Sequence, residues 1–209
     1  MGKWFSLPGS REMFLASQRH SGMIGSFDWS LAECEFKRAI ELNPSYSNEH
    51  RLYAALLVSL GRHEEAWEPI NQAMRSDSLS LPDNAEVVRT LYYARDYDCA
   101  LEQAHKALPL DPDYYRTHFW MGRVYAQRCM YREAIAESGR VLQAMPDSPV
   151  GLTELAYSLA VGARLPEARK ILKRLEDKSQ HDFVPACNLA VLHLALNEKD
   201  AALEYLQKA

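Results

Sequence analysis

Arg89 and Arg123 stand 34 residues apart, with Tyr92 and Tyr93 just after the first and Phe119 just before the second. The chemistry these residue types offer is recognition. A guanidinium fork grips a carboxylate through two parallel hydrogen bonds, and tyrosine supplies rigid contact area with little entropy to lose. At equivalent places on packed neighbouring helices their side chains would project side by side, about 10 Å apart. The pair therefore reads as a receiver for an acidic or carboxylate-bearing peptide. The other reading is that both arginines pair with Glu86, Glu154 or other neighbours and form a solvated face.

Catalytic chemistry finds no comparable footing. The seven histidines, His20, His50, His63, His105, His118, His181 and His193, include no H-E-x-x-H and no i, i+4 pair, so structural or surface roles are expected of them. No phosphate-binding glycine loop, dinucleotide fingerprint or nucleophile elbow is present. Cys34, Cys99, Cys129 and Cys187 form no C-x-x-C pair and are expected to be reduced, mostly packed thiols of a cytoplasmic protein. No enzyme activity, cofactor or metal is expected. The net charge of −4 argues against nucleic acid or an anionic membrane as the main partner. No apolar run is long enough to span a bilayer, and the first six residues fit a myristoylation pattern by form only.

What would position the two arginines is a repeat. Ala32, Ala66, Ala100, Ala134, Ala168 and Ala202 follow one another at an unbroken 34-residue step, a period in the range of helical solenoids. Four residues on from the ladder come Phe36, Ile70, Leu172 and Leu206, and seven on come Ala39, Ala73, Ala107, Val141, Leu175 and Ala209. That spacing is one buried face of a helix. Pro44, Pro112 and Pro146 end these second helices, Gly61 sits in a turn, and Pro166 fits a first helical turn. Tyr131 to Ala144 is expected to be such a second helix, with Cys129 and Met130 at the turn before it. The run Lys170, Lys173, Arg174 and Lys178 reads as a solvated second-helix face.

These residues resemble the tetratricopeptide repeat family: a small residue on the first helix (Ala54, Gly122, Ala156 and Ala190, with Val88 departing), an alanine opening the second, then a large apolar residue, another alanine and a proline. The stretch FDWSLAECEFKRAIELNP, Phe27 to Pro44, carries the second-helix pattern in full. The resemblance implies an all-α, right-handed α-solenoid of antiparallel helix pairs, a superhelix of about five to six repeats. Residues 1–26 are expected to be a divergent N-terminal segment or partial cap, because Gly22, Gly25 and His20 interrupt the first helix. Residues 27–209 are the array: 27–46 the second helix of repeat one, then 47–80, 81–114, 115–148 and 149–182, with 183–209 an incomplete last repeat.

In that family first helices line a concave groove that holds an extended peptide or a partner helix. Carried over position by position, the groove residues are Arg51, Arg89, Tyr92, Tyr93, Arg116, Phe119, Arg123, Gln127 and Tyr157, with Asn48, Ala55, Val150, Val191 and Leu194 among the other groove-facing positions. Ala55 stands where family members that clamp acidic chaperone tails have asparagine, so that particular function is not implied. The expected function is a non-catalytic protein interaction scaffold with a protein or peptide partner. The phrasing of the chain also resembles repeat arrays at the C-terminal end of bacterial multidomain regulators. That likeness implies the alternative, a regulatory or sensor portion of a transcriptional or signalling protein. A self-assembling module is the third expectation, since Leu203 and Leu206 would give an exposed repeat end and a route to a homo-oligomer.

Overall fold

The computed structural model describes residues 28–207. The expectations for the first 26 residues, for Phe27, His20 and Ala209, and for the myristoylation pattern lie outside the described residues. Among these there are eleven α-helices and no strand, and the chain falls into two compact units, divided between Ser78 and Leu79.

The first unit contains α1 (Trp29–Leu42), α2 (Ser47–Ser59) and α3 (His63–Ser76). Asp28 starts α1 by accepting a hydrogen bond from the Leu31 backbone N–H at 2.9 Å, which satisfies one of the donors a helix start leaves open. Ala54, Leu57, Ala66, Ile70 and Ala73 make its core. Glu33 of α1 joins the three helices: Arg62 donates to it at 2.6 Å, Tyr53 at 3.1 Å, and Lys37 lies 2.7 Å away. The Arg62 hydrogen bond, with help from Lys37, holds the Glu33 carboxyl at a pKa of about 2.

The second unit contains α4 (Leu81–Tyr93), α5 (Tyr97–Ala107), α6 (Tyr115–Gln127), α7 (Tyr131–Ala144), α8 (Pro149–Val161), α9 (Leu165–Ser179), α10 (Ala186–Ala195) and α11 (Lys199–Leu206). Consecutive helices pair as hairpins, and the first helices also pack on one another, α4 on α6, α6 on α8 and α8 on α10. The alanine ladder is the reason the hairpins close. Ala66, Ala100, Ala134, Ala168 and Ala202 are all buried, and Ala32 is half-buried. Small residues across from them serve the same approach: a Cβ on Gly122 would lie 3.2 Å from Ser138 Oγ and 3.5 Å from the Ala134 carbonyl. Leu152, Leu159, Leu172, Leu175, Leu189 and Leu192 then fill the space between α8, α9 and α10. α7 has the limits expected from the sequence, with Pro146 just beyond it.

A second ladder, not read from the sequence, lies in the turns. Gly61, Arg95, Cys129, Ala163 and Asn197 all have positive φ, between 59° and 76°, and each follows the previous one by the same 34-residue step. At each, the next residue's N–H reaches back to a carbonyl five residues earlier, as from Arg62 to Leu57, Asp96 to Leu91 and Met130 to Tyr125. This left-handed ending satisfies carbonyls that would otherwise be orphaned at the helix end.

The cysteines correct an expectation. All four are exposed, not packed, because Cys34 and Cys99 fall on outward faces of α1 and α5, Cys129 in a turn, and Cys187 at the start of α10. Lys170, Lys173 and Arg174 are solvated as expected, Arg174 pairing with Asp147, whereas Lys178 is half-buried, its Nζ 2.8 Å from Asp182 Oδ2.

His118 on α6 is buried and touches two oxygens. Its Nδ1 lies 2.5 Å from Glu137 Oε2 on α7, and its Nε2 lies 2.7 Å from the Pro112 carbonyl. Both partners can accept, so the pocket favours the imidazolium, which donates from both nitrogens. The Glu137 hydrogen bond raises its pKa, against the opposing effect of burial. A folded-state pKa raised above the unfolded one stabilises the fold below about pH 6.5, and this contribution is lost as pH rises through the elevated value. The melting temperature of wild-type protein should therefore fall from pH 6 toward pH 8, and His118→Asn should flatten that slope. Equal slopes for the two proteins would refute the assignment.

Candidate interaction surface

The first helices of the second unit carry most of the expected groove residues. Ser80 caps α4, its hydroxyl accepting from the Asp83 N–H at 3.3 Å, and from there the helical period puts Glu86, Arg89, Tyr92 and Tyr93 on one side. Arg89 Nε lies 3.1 Å from Glu86 Oε1, with the Glu86 side chain only 1% exposed.

Arg123 is held by three residues. Its Nε donates to Glu154 Oε2 at 2.6 Å and its Nη2 to Glu154 Oε1, a bidentate pair that ties α6 to α8. The guanidinium carbon lies 4.6 Å from the centre of the Tyr157 ring and 5.5 Å from that of Phe119, both within cation–π range. The side chains of Arg123 and Glu154 are 21% and 5% exposed. Burial pulls the Arg123 pKa down, but the hydrogen bonds and charge of Glu154 outweigh it, so the guanidinium stays firmly protonated.

Rings continue the surface toward α4. Phe119 meets Trp120 edge-on at 4.9 Å between centres, and Trp120 in turn lies 5.5 Å from Tyr92 and 5.9 Å from Tyr93. Tyr97 at the start of α5 adds a further ring, 6.1 Å from Tyr92. Burial pushes the Tyr92 phenol upward, partly offset by the charge of Arg123. Tyr93 is 47% exposed, a large value for a ring in such a cluster.

Of the residues expected to form the groove, Arg89, Tyr92, Tyr93, Phe119, Arg123 and Tyr157 share this surface. Arg116 and Gln127 stand at opposite ends of α6, half-buried and exposed. Arg51 belongs to the first unit, where it donates to Asn48 at 2.5 Å. The sequence reading missed Trp120 as a surface ring. It weighed Glu86 and Glu154 only as alternative partners. All three occupy one repeat position, Glu86, Trp120 and Glu154 following at 34-residue steps, which was the signal available.

Farther along, Val150 and Leu194 are exposed apolar residues on first helices. A largely apolar groove of about 330 Å³ runs between α10 and α11, lined by Ala190, Val191, Leu194, Ala202, Leu203 and Leu206 together with Lys199. Among the described residues no helix is long and apolar enough to cross a membrane, and no group of three or more acidic, histidine or cysteine side chains is placed to hold a metal ion.

No family model matches the chain, nor does any curated protein. Solved structures do. PilW, a widely conserved type IV pilus biogenesis factor, is 22% identical with a TM-score of 0.70, the match covering 96% of this chain and 91% of that one. Pseudomonas aeruginosa PilF is 21% identical with a TM-score of 0.62, over 94% and 87%. YrrB, a tetratricopeptide repeat protein with an unusual peptide-binding site, is 21% identical with a TM-score of 0.52, over 83% and 89%. The chain has the fold of these proteins, an all-α solenoid of tetratricopeptide repeats.

Proposed function

We propose that the chain is a non-catalytic protein interaction scaffold, and that its second unit binds an extended peptide or partner segment across α4, α6 and α8. The observation that carries this reading is the ring cluster of Tyr92, Tyr93, Phe119 and Trp120, with Tyr93 47% exposed and its neighbours fixed by mutual packing. Preset aromatic surfaces of this kind dominate binding energy at interfaces because little side-chain entropy remains to be lost. YrrB, with the same fold, has a peptide-binding site, which supports the same use here.

An array of capped 12-residue peptides of varied composition tests the reading. Wild-type protein should retain a subset of them, and Tyr93→Ala with Trp120→Ala should weaken that retention at least about tenfold, the loss of roughly 1.4 kcal/mol or more. Circular dichroism should show unchanged helicity. No retained peptide, or retention indifferent to the two rings, would refute it.

A further inference from the structure

We infer that this surface discriminates against carboxylate-bearing partners and takes a segment of near-neutral charge whose side chains are aromatic or proline, with Glu154 setting that preference. The inference rests on the binding reading above and specifies its ligand.

The arginine fork that the sequence offers as a carboxylate receiver is occupied in the fold. The Nε and Nη2 edge of Arg123 is already filled by Glu154 from the next repeat, and rings lie against the guanidinium on the Phe119 and Tyr157 sides. A ligand carboxylate seeking that edge must displace Glu154. It would then leave an anion whose side chain is 5% exposed without its partner, and an unpaired buried charge is far more costly than a second ion pair is favourable. An anion approaching the remaining Nη1 side meets a cation already matched by a negative charge.

Arg89 is also matched by a carboxylate, through a contact within its own helix, its Nε lying 3.1 Å from Oε1 of Glu86, whose side chain is 1% exposed. Each of these two arginines thus faces a buried carboxylate, so neither offers an uncompensated cation to retain an acidic chain. What remains presented to solvent is ring area, Tyr93 with the half-buried Trp120 beside it. Aromatic rings and proline pack on such area, and proline-rich segments arrive already extended, with little backbone freedom to lose.

The peptide array separates the outcomes. Wild-type protein should retain peptides of net charge near zero that are enriched in Tyr, Trp, Phe or Pro. Glu154→Gln keeps the shape and one acceptor but uncovers the Arg123 charge, and should raise retention of Asp- and Glu-rich peptides about tenfold. Arg123→Gln combined with Glu154→Gln restores neutrality and should return the preference to that of wild type. Glu86→Gln provides a second route to the same shift should Glu154→Gln lose helicity. A wild-type set dominated by acidic or by Lys- and Arg-rich peptides, or an unchanged preference in the glutamine variants, would overturn the inference while leaving peptide binding intact. No retained peptide at any charge overturns both.

Discussion

Glu154→Ala should lower the stability of the second unit by about 3–5 kcal/mol, the range for removing one partner of a buried ion pair. The size follows from what is left behind. Arg123 keeps its charge, its Nε and Nη2 lose their acceptor, and its side chain is only 21% exposed, so water can restore little of the lost solvation. The Phe119 and Tyr157 rings retain some attraction for the cation, worth about 0.5–2 kcal/mol between exposed and desolvated settings. Replacing both charged residues together with leucine should destabilise much less, because the pair as a whole gains little over apolar packing. Denaturant unfolding followed by circular dichroism measures both. A loss below about 1 kcal/mol for the single variant would place the pair among surface ion pairs.

Leu175→Ala is expected to destabilise by about 2–5 kcal/mol, the range for a buried leucine whose removal leaves a cavity. Leu175 is wholly buried on α9, within the cluster that includes Leu172, Leu189 and Leu192. Because a repeat array is held by its nearest-neighbour contacts, loosening this site weakens the packing of α8 and α9 as well as the seat of α10. Leu206→Ala is the control: at 56% exposed it should change stability by less than about 0.5 kcal/mol. Similar midpoints for the two variants in urea would contradict the packing described for the unit.

The helical hairpins were legible because period and residue type agree at every repeat. The alanine positions could hold nothing larger where helices close to contact, and the ladder from Ala66 to Ala202 is buried throughout. The turns were less legible. Only Gly61 and Asn197 announce a left-handed backbone; Arg95, Cys129 and Ala163 adopt it because the helix-end hydrogen bonds and the packed hairpin on either side impose it. The surface was legible in part. Register placed Arg89, Tyr92, Tyr93, Phe119, Arg123 and Tyr157 on first helices, but ion pairing depends on side-chain reach between repeats. Arg123 turns forward to Glu154 on the next first helix, whereas Arg89 turns to Glu86 within its own. Spacing alone does not distinguish those two choices.

The five left-handed turn residues make each hairpin a separately adjustable part. Three of them, Arg95, Cys129 and Ala163, carry a side chain in a conformation that disfavours one, and all five sit where one helix hands over to the next. A chain built this way can drift in robustness at turns such as Cys129 and Ala163 while the side chains of the proposed binding face stay the same. Its endurance and the selectivity proposed for it rest on different residues of the same repeat, so selection can act on either one alone.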